Sequence, residues 1–241
     1  MSSNLQTFLN DYTVPYFELT TDEFKLPPPH FADLDGLLAV GGTLSAENLL
    51  TAYRSGVYYW HHPLKKVQWW SPDPRIVLFP ESSLMDATIP LRPHQEYVIR
   101  FNGDFEALLR LCQRQYNDQE HMNPFWLSER MYRIFTELHK MDFAHSVEAW
   151  EGDDLIGGIF GIALGNLFFG EYQAGPNSAI SVSLLKALLD RLREKGFALL
   201  DMQKPSVYIQ GVAYEEMARV NFVHHCREIE LHSTTRQTTL T

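Results

Sequence analysis

Apolar residues recur at helical spacing in four separate stretches of the chain. Leu49, Leu50 and Tyr53 follow Ser45; Phe105, Leu108, Leu109 and Cys112 follow Asp104. Met131, Tyr132, Phe135 and Leu138 follow Ser128; Val182, Leu185, Leu188, Leu189 and Leu192 follow Ser178. Each stretch opens on a short polar side chain that can accept from a free backbone N–H, so the pattern predicts four capped, one-sided helices. Gly56 and Gly196 stop the first and the last of them. Shorter apolar runs predict strands at Val67–Trp70, Ile76–Phe79, Tyr97–Phe101, His145–Trp150, Leu155–Leu164, Leu167–Tyr172 and Phe197–Leu200. Glu151–Asp154 and Gly165–Asn166 are hairpin turns. A short helix is expected around Tyr214–Ala218 and a last strand near Phe222–Leu231. Residues 1–24 read as a loosely held polar arm.

Ser71-Pro72-Asp73-Pro74 is a rigid turn, because two prolines fix φ. It divides the chain into a small N-terminal domain, residues 1–73, and a larger one, residues 74–241. The larger part orders its elements helix, helix, three strands, helix, strand, helix, strand. That is the order of a GNAT-like acyltransferase domain within an α+β chain, an analogy of fold that fixes no chemistry.

Composition narrows the setting. The 241 residues carry a formal charge of −10, from 20 Lys+Arg and 30 Asp+Glu. An acidic balance disfavours a large nucleic-acid footprint but leaves room for local basic patches. No basic segment followed by an apolar one opens the chain, and no apolar run is long enough for a bilayer. Cys112 and Cys226 stand far apart, outside metal-ligand spacing, which fits a reduced, cytoplasmic setting.

Three polar residues stand out in and after two apolar runs. Glu171 interrupts the aromatic run Phe168–Tyr172, where an unpaired carboxylate is costly, so it should meet a cation. Asp201 and Gln203 follow the apolar run that begins at Phe197. Two residues apart on an extended chain, they project to one face at the carboxyl end of their strand, a usual place for ligand chemistry. Trp60 and Trp126 either stack on a base or pack in a core. His61-His62 and His224-His225-Cys226 do not complete a metal-ligand set, and His145 reads as a strand-filling residue.

An ordered set of motifs carries a resemblance. It comprises Leu37–Ser45, Ala52–Trp60, Trp69-Trp70-Ser71-Pro72-Asp73-Pro74-Arg75, Ala144–Trp150, Leu155–Gly161, Gly170-Glu171 and Asp201-Met202-Gln203. Together they resemble the leucyl/phenylalanyl-tRNA–protein transferases. The resemblance implies transfer of an amino acid from aminoacyl-tRNA to the amino terminus of a protein that starts with Arg or Lys, which marks that protein for degradation. It implies that Trp60 and Trp126 hold the terminal adenosine and that Glu171 faces the acceptor's basic side chain. Asp201 and Gln203 would stand at the attacking amine. The loop containing Tyr172, Gln173 and Asn177 would shape the donor side-chain pocket, though Tyr172–Pro176 departs from the family's Ser-Met-Phe-Ser-Arg. No cofactor is expected. Other readings are transfer to a different, small-molecule amine, an acyl-CoA acetyltransferase, and a non-catalytic GNAT-like binding protein.

Overall fold

The structure is a computed structural model describing residues 16–60, 65–81, 97–117, 127–176, 178–204, 213–232 and 240. Two sheets and five α-helices make up a small N-terminal part and a larger body, a mixed α/β architecture among the described residues.

The small sheet joins β1 (Phe17–Leu19), β2 (Leu37–Gly41), β4 (Gln68–Trp70) and β3 (Tyr58–Trp60), in that spatial order. The arm expected at residues 1–24 is therefore partly ordered, because Phe17–Leu19 pairs in parallel with β2. Gly41, at φ 100°, permits this pairing, since a Cβ there would lie 2.6 Å from the Leu19 carbonyl oxygen. Helix α1 (Ala46–Arg54) begins with the Ser45 hydroxyl accepting from the Asn48 N–H at 3.1 Å.

The large sheet contains β5 (Arg75–Leu78), β6 (Val98–Phe101), β7 (Ala144–Glu151), β8 (Asp154–Leu164), β9 (Leu167–Ala174), β10 (Leu199–Gln203) and β11 (Glu215–Met217). Their order is β11-β5-β10-β9-β8-β7-β6. All neighbours are antiparallel except β9 and β10. Helices α2 (Phe105–Asn117) and α3 (Glu129–Lys140) bury Leu108, Leu109, Met131, Phe135 and Leu138 in a core shared with α1 and the small sheet. Helix α4 (Ser178–Glu194) covers the other face, with Leu184, Leu185, Leu188 and Leu192 against Ile76, Phe168 and Leu200. It ends at Gly196, φ 74°, where Phe197 N–H donates to the Leu192 carbonyl at 2.9 Å.

The last two elements are exchanged relative to the expectation. Glu215–Met217 is an edge strand paired with β5, and Arg219–His232 is a helix, α5. The apolar pair Phe222-Val223 suggested a strand, yet Phe222 and Cys226 are one helical turn apart and both fully buried. The cap of α5 comes from across the chain, because the Asp73 carboxylate accepts the Arg219 N–H at 3.0 Å. A start signal 146 residues away cannot be read locally.

Candidate active site

Each of the two parallel neighbours carries an irregularity where they part. β9 and β10 are in register only from Leu167/Leu199 to Phe169/Asp201. In the β8–β9 ladder Gly161 pairs with Gly170 and Phe160 with Tyr172, so Glu171 is the extra residue of a bulge. In the β10–β5 ladder Asp201 pairs with Val77 and Gln203 with Ile76, which makes Met202 the extra residue of a second bulge. Gln203 lies in the left-handed region at φ 64°. The chain thus departs from strand geometry at both Glu171 and Gln203.

A chain of hydrogen bonds links the two strands where they part. Tyr53 on α1 donates its hydroxyl to Glu171 Oε1 at 2.5 Å. Gln203 Nε2 donates to the same oxygen at 3.3 Å and to the Gly170 carbonyl at 3.2 Å. The Gln203 backbone N–H donates to Asp201 Oδ1 at 2.8 Å. Asp201 in turn accepts from Arg75, Nε to Oδ1 at 2.8 Å and Nη2 to Oδ2 at 2.7 Å. The Arg75 guanidinium is fully buried, lies 5.0 Å from the Tyr58 ring and 4.5 Å from the Phe222 ring, and also donates to the Gly56 carbonyl.

Burial sets the proton affinities. Desolvation pushes the Glu171 carboxyl up to about 8, against the opposing pull of the Tyr53 hydroxyl, with the Asp201 charge adding to the rise. Burial, with Glu171 as neighbour, raises the Tyr53 phenol well above its ordinary value, so it stays a donor. For Arg75 burial opposes the charge, and Asp201 more than offsets it, leaving the guanidinium above its ordinary value. Glu171 has no cation of the protein on its carboxylate among the described bonds, unlike Asp201. Glu148 on β7 is a buried carboxylate of a different kind, with donors from Asp104 N–H, the Ser146 hydroxyl and Trp150 Nε1. It anchors the start of α2 to the sheet.

The structure brings Glu171, Asp201 and Gln203 into one network. Trp60 is half-buried at the end of β3, two residues beyond Tyr58. It therefore shares the face of the residue that contacts Arg75, about 7 Å further along. Tyr172 follows the bulge and packs into the core shared with α1 and α2. Gln173 is not part of the network. It pairs across from Ile159, whose side chain joins the α4 core, and its buried amide nitrogen has no partner. Trp126 and Asn177 lie outside the described residues.

Comparison with known proteins places the chain in a family. The family description "Leucyl/phenylalanyl-tRNA protein transferase" matches residues 79–227, and its N-terminal domain matches residues 42–73. The relative named leucyl/phenylalanyl-tRNA–protein transferase from Pseudomonas fluorescens strain Pf0-1 is 37% identical over 210 residues, 86% of this chain and 92% of that protein. The one from Syntrophobacter fumaroxidans is 37% identical over 213 residues, 87% of this chain and 89% of that protein. The chain belongs to the leucyl/phenylalanyl-tRNA–protein transferase family. Among solved structures, a functionally unknown conserved protein from Staphylococcus epidermidis aligns over 75% of this chain and 68% of that one, at TM-score 0.39 and 8% identity.

Within this transferase-family chain, sequence reasoning passed over two residues of the network. Tyr53 was read as part of an apolar helix face, and Arg75 as the end of a motif. The signal for Arg75 was nonetheless present. A lone arginine opening the run Ile76–Phe79 and a lone aspartate closing Phe197–Leu200 are opposite charges in two buried strands, each needing the other.

Proposed function

We propose that the protein is an aminoacyltransferase that moves an amino acid from aminoacyl-tRNA to the N-terminal amine of a protein starting with Arg or Lys. The observation that carries this reading is the orientation of the Gln203 amide. Its nitrogen is held by two acceptors, the Gly170 carbonyl and Glu171 Oε1, which leaves its carbonyl oxygen to accept from an attacking amine. Glu171, desolvated and without a cationic partner, suits the basic side chain next to that amine.

In the reaction the amine nitrogen bonds to the ester carbonyl carbon and the bond to the ribose oxygen breaks. The proton lost by the amine ends on that oxygen. An ester is already activated, so placing the amine supplies much of the acceleration. Gln203 touches the nucleophile. Asp201 is a positioning residue: fully buried, it holds the Gln203 backbone N–H in the bulge and is itself held by Arg75. Trp60 and Trp126 stack the terminal adenosine of the donor.

The same reading extends to the fold and the setting. Four antiparallel strands, β6 to β9, followed by a parallel neighbour that parts from β9 beyond Phe169, support a GNAT-like acyltransferase domain. The small sheet ends at Trp70 and the large sheet begins at Arg75, which supports a division into residues 1–73 and 74–241. Two buried cysteines far apart in the sequence, outside any metal-ligand spacing, support a reduced, cytoplasmic setting, and the transfer would tag proteins for degradation. No described helix is long and apolar enough to cross a membrane.

The test is direct. The purified protein is incubated with tRNA carrying labelled amino acids and with a peptide that starts with Arg. A peptide one residue heavier is the expected product, and a peptide starting with Glu should stay unchanged. Donor consumption with no peptide product would overturn the acceptor assignment.

A further inference from the structure

A second feature lies on the far side of α5 from the Glu171 network. Pro29, His30, Asp73, Arg219, His224 and Arg227 contribute to the wall of an open groove of about 520 Å3. The cations come from helical spacing. Val220, Val223, His224 and Arg227 form one stripe along α5, while Phe222 and Cys226 face the core. Asp73 already accepts the first N–H of the helix, and Glu228 lies 3.4 Å from His224 Nε2, so the positive charge of the groove rests on Arg219 and Arg227. Arg219 reaches the Ala32 and Asp33 carbonyls at 3.5 and 3.4 Å, and its buried Nε has no partner. Arg227 is exposed, and no carboxylate of the described residues forms an ion pair with it.

An aromatic rim adjoins these cations. His30 lies 4.2 Å from the Phe31 ring, and Phe31 lies 5.8 Å from Phe17. Both phenylalanines are exposed, as are Tyr16 and Leu34. In a chain of net charge −10, cations concentrated in a groove beside exposed rings are the surface a nucleic acid requires. Position agrees as well. Phe222 on the inner side of α5 packs on Arg75, so the groove and the network are separated by about one helix diameter, roughly 10 Å.

We propose that this groove holds phosphates of the tRNA donor while its 3′ end reaches the Glu171 network. The proposal rests on the transferase reading. The acceptor is a poor occupant, because a peptide that starts with Arg brings a positive charge to Arg219 and Arg227. A polyanion gains there, by releasing its own counterions.

The experiment compares wild type with Arg227→Glu, and with Phe31→Ala for the rim. Binding of intact aminoacyl-tRNA is measured by filter retention over a series of salt concentrations. Transfer is measured with aminoacyl-tRNA and with aminoacyl-adenosine, which has no phosphates. For Arg227→Glu the expected result is about a tenfold weaker tRNA Kd at low salt and a log–log salt slope reduced by about 1. The rate with aminoacyl-adenosine should be unchanged, which also reports an intact fold. Phe31→Ala should weaken tRNA binding with the slope intact. An unaltered Kd and slope in Arg227→Glu would overturn the proposal, as would equal losses on both donors. Should wild type bind tRNA through the groove yet transfer nothing from either donor, the transferase reading fails and the groove stands.

Discussion

Arg75 and Asp201 grip each other through two parallel hydrogen bonds, 2.8 and 2.7 Å, across 126 residues of sequence and with both side chains fully buried. Such a pair is held less by its own attraction than by the cost of separating it. Arg75→Met leaves a carboxylate in the core without a cation and should destabilise the fold by about 3–5 kcal/mol. Adding Asp201→Leu removes the stranded charge, so the double variant should be more stable than Arg75→Met alone. Urea denaturation of wild type, Arg75→Met, Asp201→Leu and the double variant gives the comparison. A double variant as unstable as the sum of both single changes would show that the pair is not coupled. The double variant should still lose transfer, because the Gln203 N–H then lacks the carboxylate that fixes it in the bulge.

Much of this architecture is legible because burial and periodicity agree. The stretches led by Ser45, Asp104 and Ser128 became α1, α2 and α3, each with its cap in place. Both hairpins around β8 fall at Glu151–Asp154 and Gly165–Asn166, where a glycine takes positive φ. The end of the chain was misread because its cues are tertiary. α5 is capped by Asp73 and packs Phe222 under Arg75, and neither partner is near it in sequence. Glu171, Asp201 and Gln203 could be named from polarity in apolar runs. The bulges that aim them could not, since a bulge shows only in the pairing with a neighbouring strand.

Glu171 makes stability depend on pH. In the unfolded chain a glutamate ionises near its ordinary value of about 4.3, whereas in the folded protein burial raises it to about 8. Between these values the folded state holds a proton that the unfolded state has released. The contribution is therefore fully present below the unfolded value and lost as pH rises through about 8. Glu171→Gln cannot titrate. Its urea midpoint should gain on wild type steadily from pH 5 to pH 8 and level off above. A constant difference between the two proteins over that range would exclude the raised carboxyl.

Tyr53 tunes the same proton. Its hydroxyl stabilises the ionised carboxylate, so Tyr53→Phe should raise the Glu171 pKa further. The lost bond should cost about 1 kcal/mol of fold stability. The informative readout is the KM for an Arg-initiated peptide. That KM should rise as Glu171 becomes protonated, and in Tyr53→Phe the rise should set in at higher pH than in wild type. At pH well above the transition the two should have similar kcat. A loss of stability with an unmoved pH midpoint would reduce Tyr53 to a packing residue.

Gly161 is the residue against which the Glu171 bulge is built. It pairs with Gly170, and the next pair in the ladder, Phe160 with Tyr172, skips Glu171. A Cβ on Gly161 would meet the Phe169 carbonyl oxygen and the Phe168 ring far inside contact distance. Backbone and a buried ring cannot both give way, so β8 and β9 must separate or shift. Gly161→Ala should therefore cost about 1–3 kcal/mol through overpacking alone. The shift falls one residue before Glu171, which loses its aim at Tyr53 and Gln203. Transfer to an Arg-initiated peptide should then fall far more than the loss of folded protein explains, at a temperature where the variant is fully folded. Gly152→Ala is the control, at the tip of the β7–β8 hairpin with open space around it and only the strain of φ 61° to bear. It should lower stability while leaving transfer by the folded protein intact. Equal activity losses in the two variants would show that the bulge does not set the site.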